Sequence, residues 1–130
     1  MSYGKEVRKA LSYYNKRIVD LRKRIERLKN NRTYVITNYH DRYNHKRREN
    51  LISYYQSEIA ELITDKELFI QENDKSIYGR DYEIWKLFYI ENLTQEYIAS
   101  KFGINHQRVS QILKKIDKEY ENERLRNTTN

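Results

Sequence analysis

The 130 residues contain no proline and only three glycines, at positions 4, 79 and 103. Proline breaks helices through its missing N–H and fixed φ, and glycine weakens them through backbone entropy. A chain this poor in both has little to stop a helix once one has started, so its apolar spacing should carry the helical period. It does so in two long stretches. From Val7 to Leu28, Val7, Leu11, Tyr14, Ile18, Leu21, Ile25 and Leu28 fall at alternating steps of four and three and make a heptad seam. Asn30 and Asn31 follow as a stop, because asparagine competes with helical backbone bonds and tolerates a left-handed cap. A second seam runs through Ile52, Tyr55, Ile59, Leu62 and Phe69, flanked by Leu51, Ile63 and Ile70. The expected fold class is all-α. A long helical, coiled-coil hairpin-like arm should occupy residues 1–75, with helices near 5–30 and 48–73, and a smaller helical module should follow Gly79.

Charge is distributed as unevenly as hydrophobicity. Residues 1–50 carry 15 Lys and Arg against 5 Asp and Glu, residues 51–93 carry 4 against 9, and residues 94–130 carry 7 against 5. A basic first helix and an acidic second one favour an antiparallel hairpin within the chain. A parallel dimer of the first helix would set its basic flanks against each other. The expected oligomeric state is a monomer or a homodimer through the arm. Residues 31–47 are less legible: Thr33 to Thr37 is strand-like, while Ile36, Tyr39 and Tyr43 have nearly helical spacing. Seventeen residues are long for a structureless connection, so part of the segment should be helical or should order on binding. The basic cluster Lys46, Arg47 and Arg48, with Arg42 nearby and tyrosines interleaved, is either a set of additional phosphate contacts or a solvated turn.

Several function classes are disfavoured. The absence of cysteine removes disulfides and thiolate metal sites and fits a reducing cytoplasm. His40, Asp41 and His45 lack the supporting ligands of a metal site. No apolar run approaches membrane-spanning length, and no signal-peptide core is present at the N-terminus. There is no phosphate-cradling glycine loop and no nucleophile–base constellation, and the acids of the second helix repeat at solvent-face spacing. The expectation is a cytoplasmic, non-enzymatic protein without cofactor.

The C-terminal module, residues 79–123, opens on a helix dense in apolar residues, with Trp85 as its core anchor. The next stretch, from Leu93 to Ile112, has the pattern of a helix-turn-helix. Ala99 is small where two helices must cross closely, Gly103 suits a turn that needs positive φ, and Ile98, Ile104, Val109 and Ile112 plug the angle between the helices. Thr94 and Asn105 are the N-caps. In such a motif the second helix enters the DNA major groove. With Val109, Ile112 and Ile116 buried, His106, Gln107, Ser110 and Gln111 would face the base edges, and glutamine pairs bidentately with adenine. Thr94, Gln95, Arg108, Lys114 and Lys115 would meet phosphates. Residues 124–130 read as a disordered tail.

Leu87-Phe-Tyr-Ile-Glu-Asn-Leu-Thr-Gln-Glu-Tyr-Ile-Ala followed by Phe102-Gly-Ile-Asn-His-Gln-Arg-Val-Ser-Gln-Ile resembles region 4 of sigma-70-type factors. It is similar, more closely still, to the small late-transcription regulators of Gram-positive phages, the RinA/ArpU-like group, which place a helical arm before a sigma-like module. The resemblance implies promoter-proximal DNA binding in a bacterial host cell and activation of phage genes, with RNA polymerase as a further partner. Sigma factors usually carry Arg, Glu, Arg and Gln at the positions of His106, Gln107, Ser110 and Gln111, so this sequence implies an operator other than an ordinary −35 element. Nothing in it resembles the sigma −10-binding domain. Two other readings share the layout. One is a small terminase-like DNA-packaging recognition subunit. The other is a protein-interaction module that docks on polymerase or another nucleoprotein.

Overall fold

In a computed structural model the described residues are 2–30 and 39–128, with side chains described for 2–30 and 44–126. Among them are five α-helices and one 3-10 turn, and no strand: α1 Tyr3–Asn30, α2 Tyr39–Asn73, the turn Ser76–Tyr78, α3 Arg80–Tyr89, α4 Gln95–Phe102 and α5 His106–Thr128. The fold is all-α, as the sequence leads one to expect. None of these helices is long and apolar enough to cross a membrane. The strand-like stretch Thr33 to Thr37 lies outside the described residues, as do the side chains of His40, Asp41 and Arg42. The chain separates into two compact units, residues 13–68 and residues 1–12 together with 69–130.

The first unit is the middle of the hairpin. Ile18, Leu21 and Ile25 of α1 and Ile52 and Ile59 of α2 form its buried core, with Leu28, Tyr55, Leu62 and Ile63 partly buried against it. Arg17 reaches Glu58 at 3.2 Å, and one repeat further along α1 Arg24 lies 5.9 Å over the Tyr55 ring. Moving forward on α1 thus means moving backward on α2, and the antiparallel packing is within one chain. Leu51, a flanking position of the seam, is exposed. Fully burying a Leu or Ile contributes about 1.5–3 kcal/mol, so a handful of such residues carries this unit.

The second unit is built around Trp85, which is fully buried, with Ile84 and Leu87 beside it on α3. Ile98 and Ala99 of α4 and Val109, Ile112, Leu113, Ile116 and Tyr120 of α5 close on it. Val7 and Leu11 of α1 belong to the same core, and Tyr3, Phe69 and Ile70 pack against it. Here the structure corrects the expected division into an arm over 1–75 and a module over 79–123. The two short helices α3 and α4 and the longer α5 do not enclose the indole and the Tyr120 ring by themselves, and both ends of the hairpin complete the enclosure.

The start of α1 is fixed by a buried carboxylate. Ser2 caps the helix, its Oγ accepting from the Lys5 N–H at 3.3 Å while its hydroxyl donates to Asp117 Oδ2 at 2.5 Å. The Gly4 N–H donates to Asp117 Oδ1 at 2.5 Å, and Trp85 Nε1 donates to the same oxygen at 3.3 Å. A Cβ at Gly4 would overlap the Tyr89 ring, so the close approach of α1 to α3 requires glycine. The Tyr3 ring stacks on Tyr120 at 5.3 Å and its hydroxyl donates to Asn73 Oδ1, while the Tyr120 hydroxyl donates to the Asn73 carbonyl at 2.7 Å. Burial raises the ionisation of both phenols above the ordinary tyrosine value.

Other boundaries move for similar reasons. The second helix begins at Tyr39 rather than near 48, so residues 39–47 of the ambiguous segment are helical. The last helix ends later than expected: α5 runs to Thr128, and Arg124, expected in a disordered tail, pairs with Glu6 at 2.5 Å. Where α2 hands over to α3, Asp74 accepts from the Ser76 N–H at 3.0 Å and holds Lys86 at 2.9 Å. Burial works to raise the Asp74 carboxyl, but these hydrogen bonds outweigh it and hold it below the usual carboxylate range.

Candidate nucleic-acid interface

The candidate interface is built on α4, a three-residue turn and the first two turns of α5. Thr94 starts α4 in extended backbone (φ −72, ψ 155), its Oγ1 accepting from the Tyr97 N–H at 3.1 Å. Gly103 ends α4 at φ 65, ψ 33, a left-handed conformation that costs any side chain but glycine or asparagine. The Gly103 N–H donates to the Ser100 carbonyl at 3.4 Å and the Ile104 N–H to the Ala99 carbonyl at 3.0 Å, which pairs the last free carbonyls of α4 in a Schellman arrangement. Asn105 then caps α5, its Oδ1 accepting from the Arg108 N–H at 2.7 Å. Both caps lie where the sequence places them, because each depends only on residues within three positions.

The apolar side chains hold the angle between the two helices. Ile98, Val109 and Ile112 are fully buried and Ala99 nearly so, while Ile104 is half-buried against the same core. Ile112, Leu113 and Ile116 pointing inward leave the opposite face of α5 in solvent. His106, Gln107 and Gln111 are exposed and Ser110 is half-buried. Gln107 and Gln111 are one turn apart and therefore share a face. Arg108 Nη1 approaches Gln111 Oε1 at 3.5 Å, which orients that amide along the helix surface.

The expected phosphate contacts are less uniform. Arg108, Lys114 and Thr94 are exposed. Lys115 is exposed too, but its Nζ lies 3.5 Å from Asp81 Oδ2. Gln95 is half-buried, and its Oε1 is buried with no hydrogen-bond partner among the described residues. Of the additional phosphate candidates, Lys46 and Arg47 are exposed and Arg48 is half-buried on α2, in the other unit. Sequence reasoning missed Asp81, whose place in the first turn of α3 reads as an ordinary helix-start acid. It also missed the exposed Tyr97 and Lys101 on α4, whose positions beside the turn were the available signal.

Tyr82 and Glu119 tie α3 to α5, the phenol donating to the carboxylate at 2.5 Å. That hydrogen bond raises the Tyr82 ionisation above the ordinary value, with burial adding to it. The result is a helix whose inward stripe is fixed by the core and whose outward stripe is polar, uncharged at its centre and bordered by cations. Such a surface can donate and accept hydrogen bonds against a groove without presenting an acid to a phosphate. Comparison with family models, with curated proteins and with solved structures found no match to this chain.

Proposed function

We propose that the protein is a sequence-specific, double-stranded-DNA-binding transcription regulator of the kind encoded by phages or prophages, acting at promoters with RNA polymerase as a further partner. The observation that carries this reading is the outward stripe His106, Gln107, Ser110 and Gln111 on a helix capped by Asn105 and set against α4 through a glycine turn. In a helix-turn-helix those are the positions that enter the major groove. Gln107 and Gln111 would read adenine through paired amide hydrogen bonds, and His106 and Ser110 would reach neighbouring acceptors. Arg108, Lys114, Lys115 and Thr94 would hold the backbone on either side, with Gln95 supporting the start of α4.

The test separates reading from holding. Gln107→Ala and Gln111→Ala should each weaken binding to the selected operator by about 1–3 kcal/mol and leave binding to unrelated duplexes unchanged. Lys114→Glu should weaken binding to every duplex and flatten its salt dependence. Equal losses on operator and random DNA in the glutamine variants would remove base readout. A ring-sized oligomer in solution would favour the packaging subunit instead, and absence of binding to any duplex at low salt would favour the protein-interaction module.

A further inference from the structure

The chain's net charge of +7 is unevenly concentrated. Residues 16–29 of α1 and 44–50 of α2 hold ten Lys and Arg against three Asp and Glu, a balance of +7. Elsewhere sixteen cations are matched by sixteen acids, so the rest of the molecule is neutral overall. In particular the unit that carries α4 and α5 has 13 cations and 11 acids. That unit has little positive charge with which to attract a polyanion.

Eight of these ten cations are exposed, among them Lys16, Arg22, Lys23, Arg27, Lys29 and Lys46, and Arg17 and Arg48 are half-buried. The reason is the seam: Ile18, Leu21 and Ile25 occupy the buried positions, and every intervening position is turned to water. Lys16 and Lys23, and likewise Arg22 and Lys29, are seven residues apart, which sets each pair about 10.5 Å apart along a common stripe. The helix is therefore a rigid rod with charges repeated at fixed spacing, and no ordering entropy is lost from its backbone on binding. Arg17 is drawn aside to Glu58, and Arg24 lies over Tyr55; between Lys16 and Lys29 the only acids on the helix are Asp20 and Glu26.

We infer that this basic end of the hairpin is a second nucleic-acid surface, one that grips the phosphate backbone of duplex DNA without regard to sequence. A lipid surface is the poorer occupant, because the heptad face an interfacial helix would insert is buried in the core of the hairpin and only scattered apolar side chains such as Val19 and Leu51 stay exposed. A second copy of the same surface would be repelled. The surface is distinct from α5 and does not depend on the reading of bases proposed for it. It adds counterion release, the sequence-independent part of affinity, to the few phosphate contacts that Arg108, Lys114 and Lys115 would make from a nearly neutral unit.

The test uses the full chain and a labelled random-sequence duplex, with anisotropy measured between roughly 50 and 250 mM salt, the range over which phosphate-driven binding falls steeply. The wild type should bind with a steep salt dependence. The combined variant Lys16→Gln, Lys23→Gln, Arg27→Gln and Lys29→Gln should bind at least about tenfold more weakly at low salt, with the log–log slope reduced by about 0.9 for each phosphate left unneutralised. Lys46→Gln with Arg47→Gln, on the other helix, should act in the same direction and guards against a folding artefact in the first set; circular dichroism should be unchanged in both. Unaltered affinity and slope in both variants would overturn the inference. So would binding of poly-L-glutamate as tight as that of the duplex, since the partner would then be an acidic protein. Failure of base readout by α5 would show separately, as loss of operator preference with random-duplex binding intact.

Discussion

The helix α1 contributes to two cores that differ in kind. Its middle, at Ile18, Leu21 and Ile25, packs with Ile52 and Ile59 of α2 and, at the margin, Tyr55, Leu62 and Ile63. Its beginning, at Val7 and Leu11, enters a core of aromatic rings in which Trp85 stacks on Tyr120 at 4.2 Å and buried polar groups are tied to Asp117. The seam is the same heptad in both places. What differs is the partner: a helix with a matching stripe needs only area, whereas a cluster of helices crossing at angles needs shape and hydrogen bonds as well. The hairpin is thus held by burial that tolerates substitution of similar volume. The C-terminal unit is held by a specific fit around one indole and one carboxylate.

The contrast is broken most severely at Trp85. Trp85→Ala should cost about 3–5 kcal/mol in chemical denaturation, since it opens a cavity at the junction of α1, α3 and α5. Trp85→Phe should recover part of that loss but leave Asp117 with one donor fewer; recovery of the whole would mean that shape matters and the hydrogen bond does not. On the hairpin side Leu21, with no exposed surface, is the matching position. Leu21→Ala should cost about 2–4 kcal/mol, and Leu21→Met much less, because an aliphatic seam accepts a side chain of like volume.

Asp117→Ala should follow at about 1–3 kcal/mol, because Ser2, Gly4 and Trp85 would each lose an acceptor in a buried place. Protection of the amides at the start of α1 against hydrogen exchange should fall first. If that protection is unchanged, the carboxylate does not anchor the helix. The smallest effect is alkaline. Tyr3, Tyr82 and Tyr120 all have ionisation raised in the fold. The unfolded chain then releases those protons first, from about pH 10 upward, so stability present below that pH declines as pH rises through it. Tyr120→Phe should flatten the decline in a denaturation series from about pH 8 to 11, which brackets the ordinary tyrosine ionisation; an unchanged slope would assign it elsewhere.

The features legible in the sequence are those set by near neighbours. Heptad spacing placed Leu21 and Ile25 inside, and the turn chemistry of Thr94, Gly103 and Asn105 placed the ends of α4 and α5, because each cap closes on a partner no more than five residues away. The docking of the N-terminus was not legible. Asp117 sits in a run of Lys and Glu that reads as solvent face, and its partners Ser2 and Gly4 are more than a hundred residues away. Gly4 reads as a flexible start, yet it serves a close approach to Tyr89 that no local pattern announces. The Asp81–Lys115 pair belongs to the same class, formed by two helices whose relative setting only the core decides.

The most direct measurement is selection of bound fragments from a random duplex pool by the wild-type chain and by Gln107→Ala and Gln111→Ala. The wild type should enrich one motif, with preference relaxed at a single adenine-containing step in each variant and kept at the others. Enrichment of no motif by the wild type, or an identical motif from all three proteins, would contradict base readout by α5.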